Sequence, residues 1–191
     1  MKRFSVYILC ILSMIFLVQK AGQAAPETYI FDPTHTYITW NVSHFGFSML
    51  SGKWLAAGTL VLDEEKPKES KVNVTLTMAE LNTGVPKLDE HLKGQDFFDV
   101  SQFPTATFIS DKISVTEKHA KVYGTLKVRG ISKPIVLKVK LNKSGINPFS
   151  KKQTVGFSGS TELKRSDFGV DKYAPHIGNT VKVIFEAEAT R

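Results

Sequence analysis

The sequence predicts an all-β protein: an eight-stranded antiparallel up-and-down barrel with a short helix and aromatic loops near the barrel ends. Three observations predict it. The dominant hydrophobic period is two, which marks strands with one dry and one wet face. Short turn signals separate the apolar runs, so successive strands pair antiparallel. Eight runs with one dry face must bury that face together. A barrel is favoured over a two-sheet sandwich because closure removes exposed edges.

The first 24 residues are read as a signal peptide, removed on export. Lys2 and Arg3 precede an apolar run from Phe4 to Val18, and Ala21 to Ala25 supplies small residues for cleavage after Ala24. The run is short for a membrane span. Cys10 lies inside it, too early for a lipoprotein cleavage site. Residues 25–191 then form one domain, which suits a periplasmic protein. That domain contains no cysteine, which excludes disulfides, a thiol nucleophile and cysteine-ligated metals.

Cleavage removes Lys2, Arg3 and Lys20 and lowers the net charge from +7 to +4. Lysines such as Lys127, Lys138, Lys140 and Lys182 are scattered along strands, as on a solvated outer face. Weak, transient attraction to anionic membrane surfaces is compatible with this balance. Nucleic acid is not expected as a partner, because no basic stripe interleaved with aromatics occurs.

The strand-like runs are 36–43, 53–62, 71–79, 105–115, 119–129, 133–143, 153–164 and 180–190. In the sixth, Ile135, Leu137, Val139 and Leu141 alternate with Val136, Lys138 and Lys140. "EEKPKES", "EKH", "RGISKP" and "NKSGINPF" supply turn chemistry. Two connections are long. Residues 79–104 contain a short helix around Asp89 to Lys93, with Leu88 and Leu92 on one face and Gly94 ending it. Residues 166–179 are turn-rich.

Three N-x-S/T triplets, at Asn41, Asn73 and Asn142, are read as chance, since strands are awkward sites for glycosylation. His35, His44, His91, His119 and His176 form no metal-ligand spacing, so no metal is expected. "GFSGS" (Gly156 to Ser160) fails as a nucleophile elbow because it lies within a strand and ends in Ser. Asp89 and His91 are two apart on a helix and point to different faces. No catalytic set and no resident cofactor is expected.

A barrel of eight strands holds its own side chains or one slender ligand. Ala56, Ala57, Gly58, Gly124, Gly159, Ala187 and Ala189 either open lumen volume or fit the barrel's taper and bends. Aromatics crowd the connections: Phe45, Phe47, Phe97, Phe98, Phe103, Phe149, Phe168 and Tyr173. Connections are normally polar, so these residues cap the core or line an entrance.

Four blocks resemble the YceI-like family of exported polyisoprenoid-binding domains. They are "FDPTHTYITWNVSHFGFSMLSGKW", "LNTGVPKLDEHLKGQDFFDVSQFPTATFIS", "GTLKVRGISKPIVL" and "LKRSDFGV" followed by "IGNTVKVIFEAEA". The resemblance implies a lipocalin-like barrel around a tunnel for a long isoprenoid, such as a quinone or polyprenyl lipid, with no agreed catalytic residues. Leu88 stands where the family often has Arg. The stretch between Gly52 and Gly58 runs one residue short, with Leu55-Ala56-Ala57 where a Phe is common.

On this basis "VSHFGFSMLSG" is expected to fold over one barrel end, with Phe45, Phe47, Met49 and Leu50 toward the lumen or its mouth. Phe97, Phe98 and Phe103 would plug or flank an opening. Trp40, Val42, Trp54, Phe108 and Phe157 on strands, with Phe168 in the last connection, complete the expected ligand contacts. His44 and His91 either meet a polar headgroup or tie loops to carbonyls. The expected function is a binding protein for a polyisoprenoid or similar lipid, as carrier, store or sensor. Its alternatives are a fatty acid or fatty amide ligand, or a lipid-modifying hydrolase or isomerase. A homodimer shielding an open mouth is a further expectation.

Overall fold

Alternating dry and wet residues build ten strand segments into one closed sheet in the computed structural model, which describes residues 25–191; the expected signal peptide lies outside them. The segments are β1 (Glu27–Phe31), β2 (Tyr37–His44), β3 (Ser48–Leu55), β4 (Ala57–Leu62), β5 (Lys71–Thr77), β6 (Thr105–Thr116), β7 (His119–Val128), β8 (Ile131–Ile146), β9 (Gln153–Lys164) and β10 (Thr180–Thr190). Among the described residues one α-helix, α1, spans Pro86–Lys93.

Ten segments make eight staves. β1 and β2 are two halves of one bent strand, and β3 and β4 are halves of the next, broken at Ala56. From β4 to β10 each segment pairs antiparallel with its neighbours in chain order. β10 closes the ring twice: Lys182 to Glu186 pair with β2, and Ala189 and Thr190 pair with β1. The barrel is therefore up-and-down. β9 has 12 residues, which at about 3.3 Å per residue and a tilt of about 40° spans about 30 Å along the axis.

The bend between β1 and β2 is held by its own side chains. Asp32 accepts hydrogen bonds from Thr34 N–H at 2.8 Å and Thr34 Oγ1 at 2.7 Å, and meets His35 Nδ1 at 2.8 Å. Thr36 Oγ1 donates to Glu188 O on β10 at 3.0 Å, and Ala56 N–H donates to Thr36 O at 2.9 Å. The break in the second stave thus sits against the bend in the first.

Several expectations are corrected. β1 was not anticipated. The run expected at 53–62 begins at Ser48 and breaks at Ala56, and the run expected at 133–143 extends over Ile131–Ile146 through a bulge at Asn142. "VSHFGFSMLSG" is a hairpin: Ser43 pairs with Met49 and His44 with Ser48. Its tight turn uses Phe45 (φ 53°) and Gly46 (φ 76°). Two consecutive positive-φ residues match the right-handed twist of paired strands.

The strand glycines do not open lumen volume. Gly52, Gly124 and Gly159 each receive an aromatic neighbour, and Gly58 sits against the Asn73 carbonyl. A Cβ on Gly52 would lie 2.6 Å from Trp40, its direct cross-strand partner. A Cβ on Gly159 would collide with Phe185, again the direct partner, and one on Gly124 with Phe108. For Gly124 and Gly159 the packed ring decides between the two readings in favour of fit, whereas Ala56 and Ala187 line the cavity.

Gly159→Val therefore overpacks a site where both Phe185 and the Lys138 carbonyl crowd the Cβ. We expect a loss of about 1–3 kcal/mol in urea unfolding. Asp32→Asn should lower the His35 pKa, since hydrogen bonding and charge from Asp32 raise it. Asp32 itself is held down to about 2, chiefly by its hydrogen bond with His35. The depressed acid stabilises above its unfolded pKa and loses that as pH falls toward 2. The raised base stabilises below its unfolded pKa and loses that as pH rises. NMR titration of His35 in the variant, and a stability plateau from about pH 4 to 6.5 in the wild type, check this.

Candidate functional site

The inward positions of the staves enclose a cavity of about 880 Å³. That lies within the range of about 300–1,000 Å³ typical of ligand sites. The wall is almost wholly apolar. β5 contributes Val72, Val74 and Leu76, β7 contributes Val122, Leu126 and Val128, and β8 contributes Ile135, Leu137, Val139 and Leu141. The cavity runs the length of the barrel. Phe45, His91 and Tyr173 line it at the end carrying the β2–β3 hairpin and α1 (the upper end). Glu64, Pro67, Glu117 and Lys118 line it at the other (the lower end).

The upper half is aromatic. Trp40 and Trp54 lie 6.3 Å apart, and Phe98 meets Trp54 edge-on at 5.3 Å. His91 meets Phe97 edge-on at 4.9 Å and stacks with Tyr173 at 6.2 Å. Trp54 Nε1 donates to Met78 O at 3.3 Å. Trp40 Nε1 is buried and makes no hydrogen bond among the described residues. An unsatisfied buried donor costs about 1–3 kcal/mol.

Two arginines hold the upper loops. Arg165 Nε donates to Gly178 O at 2.8 Å. Its Nη1 donates to Val170 O at 2.6 Å and Lys172 O at 3.0 Å, and its Nη2 to Ile177 O at 2.8 Å. The residue is 9 % exposed and lines the cavity. Burial pushes its guanidinium below the usual pKa. Arg129, in the β7–β8 turn, donates through Nη1 to Gly169 O and through Nη2 to Gln95 O at 2.9 Å. One cation thus shapes the 165–178 loop, and the other joins it to the loop after α1.

The remaining polar groups are engaged locally. Asp89 accepts from Thr83 N–H at 2.8 Å and Thr83 Oγ1 at 2.6 Å, and this hydrogen bonding lowers its pKa. His44 and His91 make ring contacts, with Phe45 and with Phe97 and Tyr173, and no side-chain hydrogen bond among the described residues. Their expected ties to loop carbonyls are therefore absent among those residues. Loop tying is done by the His44 backbone, which bridges to Ile177, and by the arginines. Among the described residues no group of three metal-ligating side chains converges.

Residues 29–189 match the YceI-like domain family. The chain belongs to the YceI-like family. A UPF0312 protein of Pseudomonas savastanoi pv. phaseolicola is 37% identical over 160 residues, covering 82% of this chain and 83% of its own length. A UPF0312 protein of Pseudomonas aeruginosa is 33% identical over 174 residues, covering 90% and 91%. The fold is also that of BcnA from Burkholderia cenocepacia, with a TM-score of 0.76 at 22% identity over 84% of this chain and 99% of that one. A polyisoprenoid binding domain from Saccharophagus degradans superposes with a TM-score of 0.67 at 14% identity, covering 85% and 97%.

In this YceI-like barrel Trp40, Val42, His44, Phe45, Leu50, Trp54, His91, Phe97, Phe98, Phe108, Phe157 and Phe168 all line the cavity. Phe47, Met49 and Phe103 do not. Phe47 is 91% exposed at the hairpin tip, and Met49 sits at an outward position of β3. Phe103 packs against Gly130, outside the lumen. Arg165, Phe185 and Ile177 are wall residues that sequence reasoning missed. Only Phe185 carried a local signal, its place in the alternation of Val181, Val183, Phe185 and Ala187.

Replacing Arg165 strands four carbonyls at once. We expect Arg165→Leu to lower stability by about 2–4 kcal/mol in chemical denaturation. Arg165→Lys should recover little, because one ammonium lacks the planar fork that reaches carbonyls on several sides. Amide exchange should accelerate within residues 165–178 in both variants.

Proposed function

We propose that this YceI-like protein is a periplasmic, non-enzymatic binding protein. In this reading it holds a long-chain polyisoprenoid, or a similar slender lipid, in its lumen as carrier, store or sensor. The observation that carries the proposal is the barrel-length apolar cavity. Protein interiors are close-packed, and few voids exceed a water molecule. A bore of about 880 Å³ walled by aliphatic and aromatic groups suits a hydrocarbon chain. Each buried CH2 stabilises by about 0.8 kcal/mol, so a five-carbon unit contributes roughly 4 kcal/mol before ordering costs.

Three further points support the reading. The polyisoprenoid binding domain of Saccharophagus degradans shares the fold. The apolar run after Lys2 and Arg3 supports export to the periplasm. Binding without turnover is favoured because Asp89 is engaged by Thr83, and His44 and His91 are engaged by rings rather than by a nucleophile.

Protein purified from its own host should carry a lipid, read by native mass spectrometry and by organic extraction. The bound mass separates an isoprenoid from a fatty acid or fatty amide. Leu137→Trp, which narrows the bore from mid-strand of β8, should lose at least about tenfold in lipid retention with unchanged circular dichroism. A lipid-free wild type whose melting temperature ignores added prenyl lipids would falsify the proposal.

A further inference from the structure

The positive charge of this chain is gathered on one part of the sheet. Between Glu117 and Glu162 there are ten Lys and Arg residues and no Asp or Glu. The described residues 25–191 carry a net +4, so everything outside this stretch sums to −6. The stretch is β7, β8 and most of β9. Lysines that look scattered along the sequence are brought together by register. Lys121 pairs directly with Lys138, and His119 with Lys140. Lys112 reaches the same face from β6, across Tyr123.

Like charges placed directly opposite destabilise a sheet. Here Lys112, Lys121, Lys138 and Lys140 are all exposed, and none forms an ion pair among the described residues. The face ends in an unusual tip. The β8–β9 connection, "NPFSKK" (Asn147 to Lys152), presents Phe149 at 93% exposure beside Ile146 at 61%, with Lys151 and Lys152 following. An exposed aromatic among lysines at the end of a cationic face combines the two features that hold proteins at anionic bilayers. A polyanion alone would have no use for Phe149.

We propose that the β7–β8–β9 face and its tip dock onto an anionic lipid bilayer, with Phe149 entering the headgroup region. Lys118, which lines the lower rim of the cavity, lies at the same barrel end as this tip. Docking would therefore set that rim against the membrane. The proposal stands on charge and exposure, and its test needs no cargo in the lumen.

The test is vesicle co-sedimentation of the chain spanning residues 25–191. We expect binding to phosphatidylcholine vesicles containing about one-third phosphatidylglycerol, weak binding to pure phosphatidylcholine, and loss of binding as salt rises toward about 0.5 M. Each lysine at such a surface contributes about fivefold, so Lys138→Gln with Lys140→Gln should weaken binding more than about tenfold. Phe149→Ser should weaken it by a similar factor. Phe149→Trp should give a blue-shifted emission on adding the anionic vesicles. Unchanged melting temperatures establish that these exposed substitutions leave the fold intact. Equal binding to both vesicle types overturns the proposal, as do lysine variants that bind like the wild type. So does heparin binding that is indifferent to Phe149 together with an unshifted tryptophan. Loss of vesicle binding in Phe47→Ser, with Phe149→Ser unaffected, overturns it in favour of the upper rim.

Discussion

The structure depends on β10 serving two partners. Its middle hydrogen-bonds β2 and its last residues hydrogen-bond β1, so one strand completes the ring at two places. Both pairings require the bend at residues 32–36, which the Asp32 turn and the Thr36 hydroxyl hold. Without this seam the sheet has two free edges and an apolar inner face open to water. With it, every stave has a neighbour on both sides and the dry faces enclose a common interior. The lumen is a consequence of closure.

Whether a closed barrel is hollow depends on what its inward residues do. Near β1 some inward residues are packed away: Tyr29 and Ala189 have no exposure and stay out of the cavity wall, whereas Phe31 and Val155 line it. Elsewhere the largest rings lie flat over glycines on the adjoining strand, as Trp40 does over Gly52 and Phe185 over Gly159. Such pairing keeps bulky groups against the wall and leaves the axis free. The aromatic residues therefore make a smooth bore, and at the upper end they also narrow its entrance.

Much of this was legible in the amino-acid pattern, and the failures have physical causes. Period-two alternation is a property of single strands, so β5 to β10 could be read locally. β1 escaped because five residues next to an apolar leader carry too little alternation. The β2–β3 turn escaped because it lacks an Asn-Gly or Asp-Gly signal and places Phe45 at positive φ instead. Within that hairpin, parity decides which residues face inward: Leu50 and Trp54 do, whereas Met49 does not. Phe103 was misplaced because its partner, Gly130, is remote in the chain. The acid-free basic stretch between Glu117 and Glu162 stood in the sequence, but the direct opposition of its lysines arises only from register between strands. Arg165 left no trace, because its partners are carbonyls that every residue possesses.

That last point has a consequence for how such a protein changes over time. Arg165 grips main-chain oxygens of Val170, Lys172, Ile177 and Gly178, whose side chains contribute nothing to the grip. The path of the segment is therefore written into its backbone. The side chain of Tyr173 takes no part in that grip, and it lies in the wall of the entrance. One anchored cation lets the width of the doorway change through such a side chain while the frame around it stays in place.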